Sequence, residues 1–184
     1  MFAKWYSICA IFLGFAVLLS APARARDADA SATGVATATV VQPLTATAVA
    51  QLDFGTVAVS LAQGGGVVVA PGGLASYIGS ARQACLSGRD CSLPHPATFQ
   101  VSGEAGRDYR VILPNGVVAR SDGGQTLGVE ALVVRTRSRP GDAAIGTLDP
   151  QGRDQFEIGG TIRIPAGAAT ARYSATIAVI VTYS

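Results

Sequence analysis

Lysine occurs once in this chain, at Lys4, histidine once, at His95, and tryptophan once, at Trp5, and only 14% of the 184 residues are charged. These shortages exclude whole classes of function. A nucleic-acid or acidic-membrane binder needs a net basic surface, whereas the formal charge here is +2. Even that excess sits near the start: loss of Lys4 and Arg24 with a leader leaves 12 Arg against 12 Asp and Glu, and no lysine. The sequence has no G-x-S-x-G, G-x-x-x-x-G-K-[ST] or H-E-x-x-H run, so acyl transfer, phosphate-loop chemistry and zinc hydrolysis lack their usual carriers. No catalytic residue, no cofactor and no nucleic-acid partner is expected, and the chain reads as a non-enzyme. Sugar stacking on aromatic platforms is disfavoured too, because Trp5 lies in the leader and most of the remaining Phe and Tyr fall at core-phase positions.

What the chain does have is 49% hydrophobic residues with 22 Gly and 9 Pro. That is too apolar for a disordered chain and too glycine-punctuated for a helical bundle. The length suits an export segment and one domain. Lys4 precedes an uncharged run from Ile8 to Leu19, followed by Ser20-Ala-Pro-Ala-Arg-Ala25, the layout of a signal peptide. Cleavage is placed between Ala25 and Arg26, with an equivalent site after Ala23. The expected organisation is a leader helix over 1–25 and a single domain over 26–184. An apolar run of about 12 residues falls short of the roughly 20 needed to span a bilayer, so no transmembrane anchor should survive processing. The product is expected in the periplasm, on the cell surface or secreted.

Cys9 leaves with the leader, and Cys85 and Cys91 remain in A-C-L-S-G-R-D-C-S. An even count in an exported chain favours a disulfide across this Ser-Gly turn. A metal site made of Cys85, Cys91 and His95 is the competing reading, and it lacks a fourth ligand of matching spacing.

The rest reads as strands. Ala32 to Val49 is an Ala/Thr/Val stretch that Pro43 divides into two edge-compatible pieces. Gly64-Gly-Gly66 reads as a turn before Val67-Val-Val69, and Pro71-Gly-Gly73 as another. Apolar and polar residues alternate over Ala97–Val101 and Tyr109–Leu113, and Pro114-Asn-Gly116 predicts a hairpin turn. Strands follow over Leu127–Arg137, Phe156–Ile158, Thr161–Ile164 and Tyr173–Tyr183. Turns about every ten residues predict an all-β antiparallel sandwich. Its inward positions would be Phe99, Val101, Tyr109, Val111, Leu113, Val133, Phe156, Ile158, Ile162, Ile164, Ile177, Val179 and Val181.

A spaced set of residues runs through these strands: P-L at 43–44, L-D-F-G at 52–55, A-x-F-x-V-x-G at 97–103, G-x-L-D-x-x-G at 146–152, F-x-I-G-G-T-I-x-I-P-A-G at 156–167, and Tyr173 leading to V-x-V-T-Y. It resembles the domain-of-unknown-function 4402 family of exported bacterial proteins over nearly the whole chain after the leader. The resemblance implies an immunoglobulin-like β-sandwich related to fimbrial subunits and to spore-coat-protein-U-like secreted proteins. It implies no catalytic residue.

Three features could carry interactions. Arg135, Arg137 and Arg139 alternate with Thr136 and Ser138, so a strand would align them as a basic stripe for an anionic partner, or as a solvated strand end that deters aggregation. Asp149 and Asp154 flank Pro150-Gln-Gly152; they are a carboxylate pair for acid/base work or calcium, or, more in keeping with Asp-Pro-x-Gly, parts of a tight turn. The last strand, with Ile177, Val179, Val181 and Tyr183, is similar to the C-terminal strand of pilins, which accept an extended segment from a neighbour. The donor would be Asp27–Val41, whose side chains are mainly Ala and Thr. The expected function is that of an exported structural subunit meeting itself or a periplasmic chaperone through edge strands; the alternative is a self-contained monomeric binding module.

Overall fold

The computed structural model describes residues 35–84, 91–141 and 144–184. The leader, its cleavage site at Ala25 and Arg26, most of the Asp27–Val41 arm, and Cys85 lie outside those residues. The chain divides into two compact units, Met1–Ala38 and Thr39–Ser184. Of the first, the described residues Val35–Ala38 are exposed and form no strand.

The second unit holds every described strand: β1 (Thr45–Ala50), β2 (Val57–Ala58), β3 (Gly65–Val69), β4 (Ala75–Gly79), β5 (Arg82–Gln83), β6 (Ala97–Ser102), β7 (Asp108–Ile112), β8 (Gly116–Ser121), β9 (Thr126–Thr136), β10 (Ile145–Thr147), β11 (Arg153–Ile164), β12 (Tyr173–Ser174) and β13 (Ile180–Tyr183). No helix occurs among the described residues. The expectation of an all-β antiparallel protein is met.

The spine is β11, which the sequence suggested as two short strands and which runs unbroken through Gly159-Gly160. On one side β9 follows it along most of its length. On the other, β6 pairs with Arg153–Ile158 and β3 with Gly160–Ile164. The glycine pair marks the change of neighbour. A Cβ on Gly159 would lie 2.3 Å from the Val69 carbonyl oxygen, where β3 ends, so a side chain there would push the two strands apart. The large sheet runs β1-β6-β11-β9-β8-β12, with β3 and β4 added beside the second half of β11, and a three-stranded sheet runs β10-β7-β13.

Apolar residues form two neighbouring clusters. One gathers Val101, Tyr109, Val111, Leu148, Phe156 and Ile158, with Phe99 stacked on Phe156 at 5.0 Å between ring centroids. The other gathers Val67, Val69, Leu127, Val129 and Ile162. Burial of each such side chain contributes about 1.5–3 kcal/mol before conformational entropy is set against it. The L-D-F-G segment links the clusters, since Leu52 packs on both and Phe54 on the second.

Several expectations are corrected. Val133 is exposed, not inward. Ala131 takes a left-handed backbone (φ 51°), and β9 gains a residue over β11 between Glu130 and Val133. This bulge moves the inward phase from odd to even positions, so that Val134 and Thr136 are buried instead. Pro114-Asn-Gly116 makes no hairpin: neither Asn115 nor Gly116 has the positive φ that such a turn demands. β7 and β8 instead belong to different sheets, and these residues carry the chain between them. Gly65 and Gly66 are strand rather than turn, because only glycine lets β3 approach so closely: a Cβ on Gly66 would sit 2.7 Å from the Ile162 carbonyl oxygen. The last strand divides, with β12 on β8 and β13 on β7. Ile177 lies in the intervening stretch, half-buried and outside both clusters.

Candidate functional site

The end of the chain lies on the rim of the three-stranded sheet, where β7 flanks β13 on one side only. Ser184 N donates to the Asp108 carbonyl at 3.1 Å, and antiparallel alternation then turns the main-chain groups of Ile180 and Thr182 toward β7 and those of Val181 and Tyr183 away from it. Among the described residues no main-chain group meets that outward row. From Tyr173 to Ser184 the chain has no charge and no proline, the two devices that usually blunt an edge strand. The side chains of Val179, Val181 and Tyr183 pack onto the first cluster.

Tyr183 also ties both ends of the domain together. Its hydroxyl donates to the Gln42 carbonyl at 2.8 Å and accepts from Glu104 N at 2.7 Å, while the Arg107 guanidinium stands 4.9 Å over its ring. The chain before β1 therefore leaves the fold beside β13. Val40 there is 94% exposed, and Thr39–Leu44 forms no strand. Among the described residues β1 pairs with β6 alone, a second open edge composed of Thr, Ala and Val.

The arginine stripe is only partly assembled. With Val134 and Thr136 inward, Arg135 on the outer face of β9 and Arg137 just past its end both border a shallow depression of about 400 Å³. Arg139 lies past the end of β9 and is drawn elsewhere: its Nη2 donates to both Asp108 carboxylate oxygens, at 3.0 and 3.1 Å. Asp149 and Asp154 do not act as a pair. Asp149 caps the turn, its Oδ1 accepting from Gln151 N at 2.9 Å and Arg153 N at 2.8 Å, the use expected of Asp-Pro-x-Gly. Asp154 accepts instead from the Tyr109 hydroxyl at 2.8 Å and from Ser138 Oγ at 2.5 Å. Burial of Tyr109, together with that bond and the Asp154 charge, pushes its hydroxyl well above the ordinary tyrosine range. It stays protonated and serves as a donor joining β7 to β11.

His95 pairs main chain to main chain with Asp53, and its Nδ1 lies 3.2 Å from the Pro96 carbonyl. Among the described residues no group of three or more His, Cys, Asp and Glu side chains is placed to hold a metal. Thr56 gathers both stems of the cysteine loop: Ala84 N donates to its carbonyl at 2.9 Å, and its own N donates to the Ser92 carbonyl at 3.1 Å.

Sequence reasoning missed the glycines that set the rim. A Cβ on Gly103 would fall 2.3 Å from the Tyr183 hydroxyl, one on Gly146 2.5 Å from the Tyr109 ring, and one on Gly152 2.2 Å from the Gly103 carbonyl oxygen. Their signal was present as the fixed glycines of A-x-F-x-V-x-G and G-x-L-D-x-x-G. A family model described as a domain of unknown function (DUF4402) matches residues 44–183. No curated protein and no solved structure matches the chain.

Proposed function

The chain belongs to the DUF4402 family, and we propose that it is an exported structural subunit with an immunoglobulin-like arrangement of its sheets, assembling with copies of itself by β-strand pairing. The observation that carries this reading is the outer edge of β13, uncharged, free of proline and without a main-chain partner among the described residues. An edge of this kind is a template for another strand, and soluble proteins ordinarily blunt it. The Asp27–Val41 arm is the donor. Val35, Val40 and Val41 give it apolar positions, and its described part leaves Val35 89% and Val40 94% exposed. The segment through Ala25 serves export, and a periplasmic chaperone would occupy the same edge before assembly.

The direct test adds a synthetic Asp27–Val41 peptide to a chain that starts at Val41 and follows amide exchange. The Val181 and Tyr183 amides should slow by about tenfold or more, as newly paired strand groups do. Unchanged exchange at both positions, with the peptide present at high concentration, contradicts strand acceptance. A self-contained module would give that second result.

Export also implies an oxidising compartment, and the convergence of Ala84 and Ser92 on Thr56 suits a Cys85–Cys91 bridge. Intact mass should rise by about two hydrogens on reduction. Reduction should also cost about 2 kcal/mol of stability, as a short closed loop allows. A non-reduced protein that takes up a thiol reagent at both cysteines would contradict the bridge.

A further inference from the structure

We infer that the depression on the outer face of β9 and β11 is a binding site for a small ligand bearing an oxyanion, with Arg135 and Arg137 as its recognition residues. Both guanidinium groups belong to exposed residues two positions apart, Arg135 on β9 and Arg137 one residue past its end, where Arg137 N still donates to the Gln155 carbonyl, so their backbones stand about 7 Å apart. Among the described residues neither guanidinium has an ion-pair or hydrogen-bond partner, although Arg107, Arg139 and Arg163 each hold a carboxylate.

The reason lies in the neighbouring strand. Glu157 is the register partner of Arg135 and would be its natural counter-charge. Its Oε2 instead accepts from Gly72 N, at 2.6 Å, on the β3–β4 turn. Gln155, whose carbonyl accepts from Arg137 N, adds a neutral amide and no charge. The depression is thus lined by two cations and by one acid that keeps its charge while bonded to Gly72 N, which leaves a net positive lining.

Its walls leave room for more than a bare ion. Gly72 (φ 94°) presents no side chain, and a Cβ there would come within 3.1 Å of Arg135 Nη1. Pro140 closes another side. The depression has a volume of about 400 Å³ and is open to solvent on its outer side. Guanidinium groups bind carboxylate and phosphate edges through paired N–H donors. The fitting ligand is therefore a small organic carboxylate or phosphate, for which glucuronate and glucose 6-phosphate serve as probes, held by its anionic group against Arg135 and Arg137 with its body over Gly72 and Pro140. The site is separate from the edge of β13, so it stands whether or not the chain assembles.

The test follows the side-chain resonances of the chain from Arg26 onward during titration with glucuronate, glucose 6-phosphate, inorganic phosphate and glucose at constant ionic strength. The two sugar anions should shift Arg135, Arg137 and Gln155 saturably, and glucose should not. Phosphate alone should bind at least about tenfold more weakly than glucose 6-phosphate, having no body to fill the depression. R135Q/R137Q should weaken the sugar anions by about tenfold or more, while R120Q, at another exposed arginine, should leave them within about twofold. Equal shifts at Arg120 and Arg135, or binding unchanged in R135Q/R137Q, would overturn the site. Phosphate binding as well as glucose 6-phosphate would overturn the part assigned to the ligand's body.

Discussion

Gly152→Ala should lower the unfolding free energy by about 3 kcal/mol or more, while Gly106→Ala, only three residues past Gly103, should cost about 1 kcal/mol. The two glycines share a left-handed backbone, φ 72° at Gly152 and 74° at Gly106, so both substitutions incur the same conformational strain. They differ in surroundings. A Cβ on Gly106 meets nothing within 4 Å, whereas one on Gly152 would lie 2.2 Å from the Gly103 carbonyl oxygen. That oxygen cannot retreat freely, because Gly103 N donates to the Gly152 carbonyl at 2.9 Å and Gly103 itself lies against Tyr183 and Leu148. The difference between the two variants isolates the close approach of two backbones. Denaturant midpoints at unchanged m-value would measure it. Equal losses in both variants would show that strand approach at the rim does not limit stability.

The periodic parts of this fold were legible in the residues because each strand face obeys a period of two. Val101, Tyr109, Val111, Phe156, Ile158 and Ile162 are buried as their alternation requires. The failures occur where a single backbone conformation interrupts that period. Nothing in the letters of Leu127–Arg137 announces that Ala131 takes φ 51°, yet this one residue exchanges Val133 for Val134 in the core. Pro114-Asn-Gly116 carried a strong local hairpin signal, and tertiary pairing of β8 with β9 overrode it.

The candidate site divides along the same line. The alternation of Val179, Val181 and Tyr183 was readable, and so was the lack of charge. That β13 would be left with one free side depends on the order of strands in space, which no local pattern encodes. The arginine stripe lost Arg139 for a related reason: its carboxylate partner, Asp108, comes from a strand distant in sequence. The Asp149 turn was legible because its chemistry is confined to five consecutive residues.

Removal of the residues before Val41 should have the largest effect on assembly and almost none on the fold. The described strands all begin at or after Thr45, and among the described residues both hydrophobic clusters draw on positions from Leu44 onward. What the truncation deletes is exposed chain without strand partners among its described residues, so the unfolding midpoint should move by no more than about 0.5 kcal/mol. Pairing between copies would lose its donor altogether. Chains whose free edges are satisfied only by a neighbour's strand associate through main-chain hydrogen bonds, and those bonds vanish with the arm.

The decisive measurement is the mass in solution, by size exclusion with light scattering, of the chain from Arg26 and of the chain from Val41, each purified from an oxidising compartment. Strand pairing predicts multiples of the protomer mass for the first and a single protomer for the second. A compact monomer in both, or multimers that persist without the arm, would contradict it.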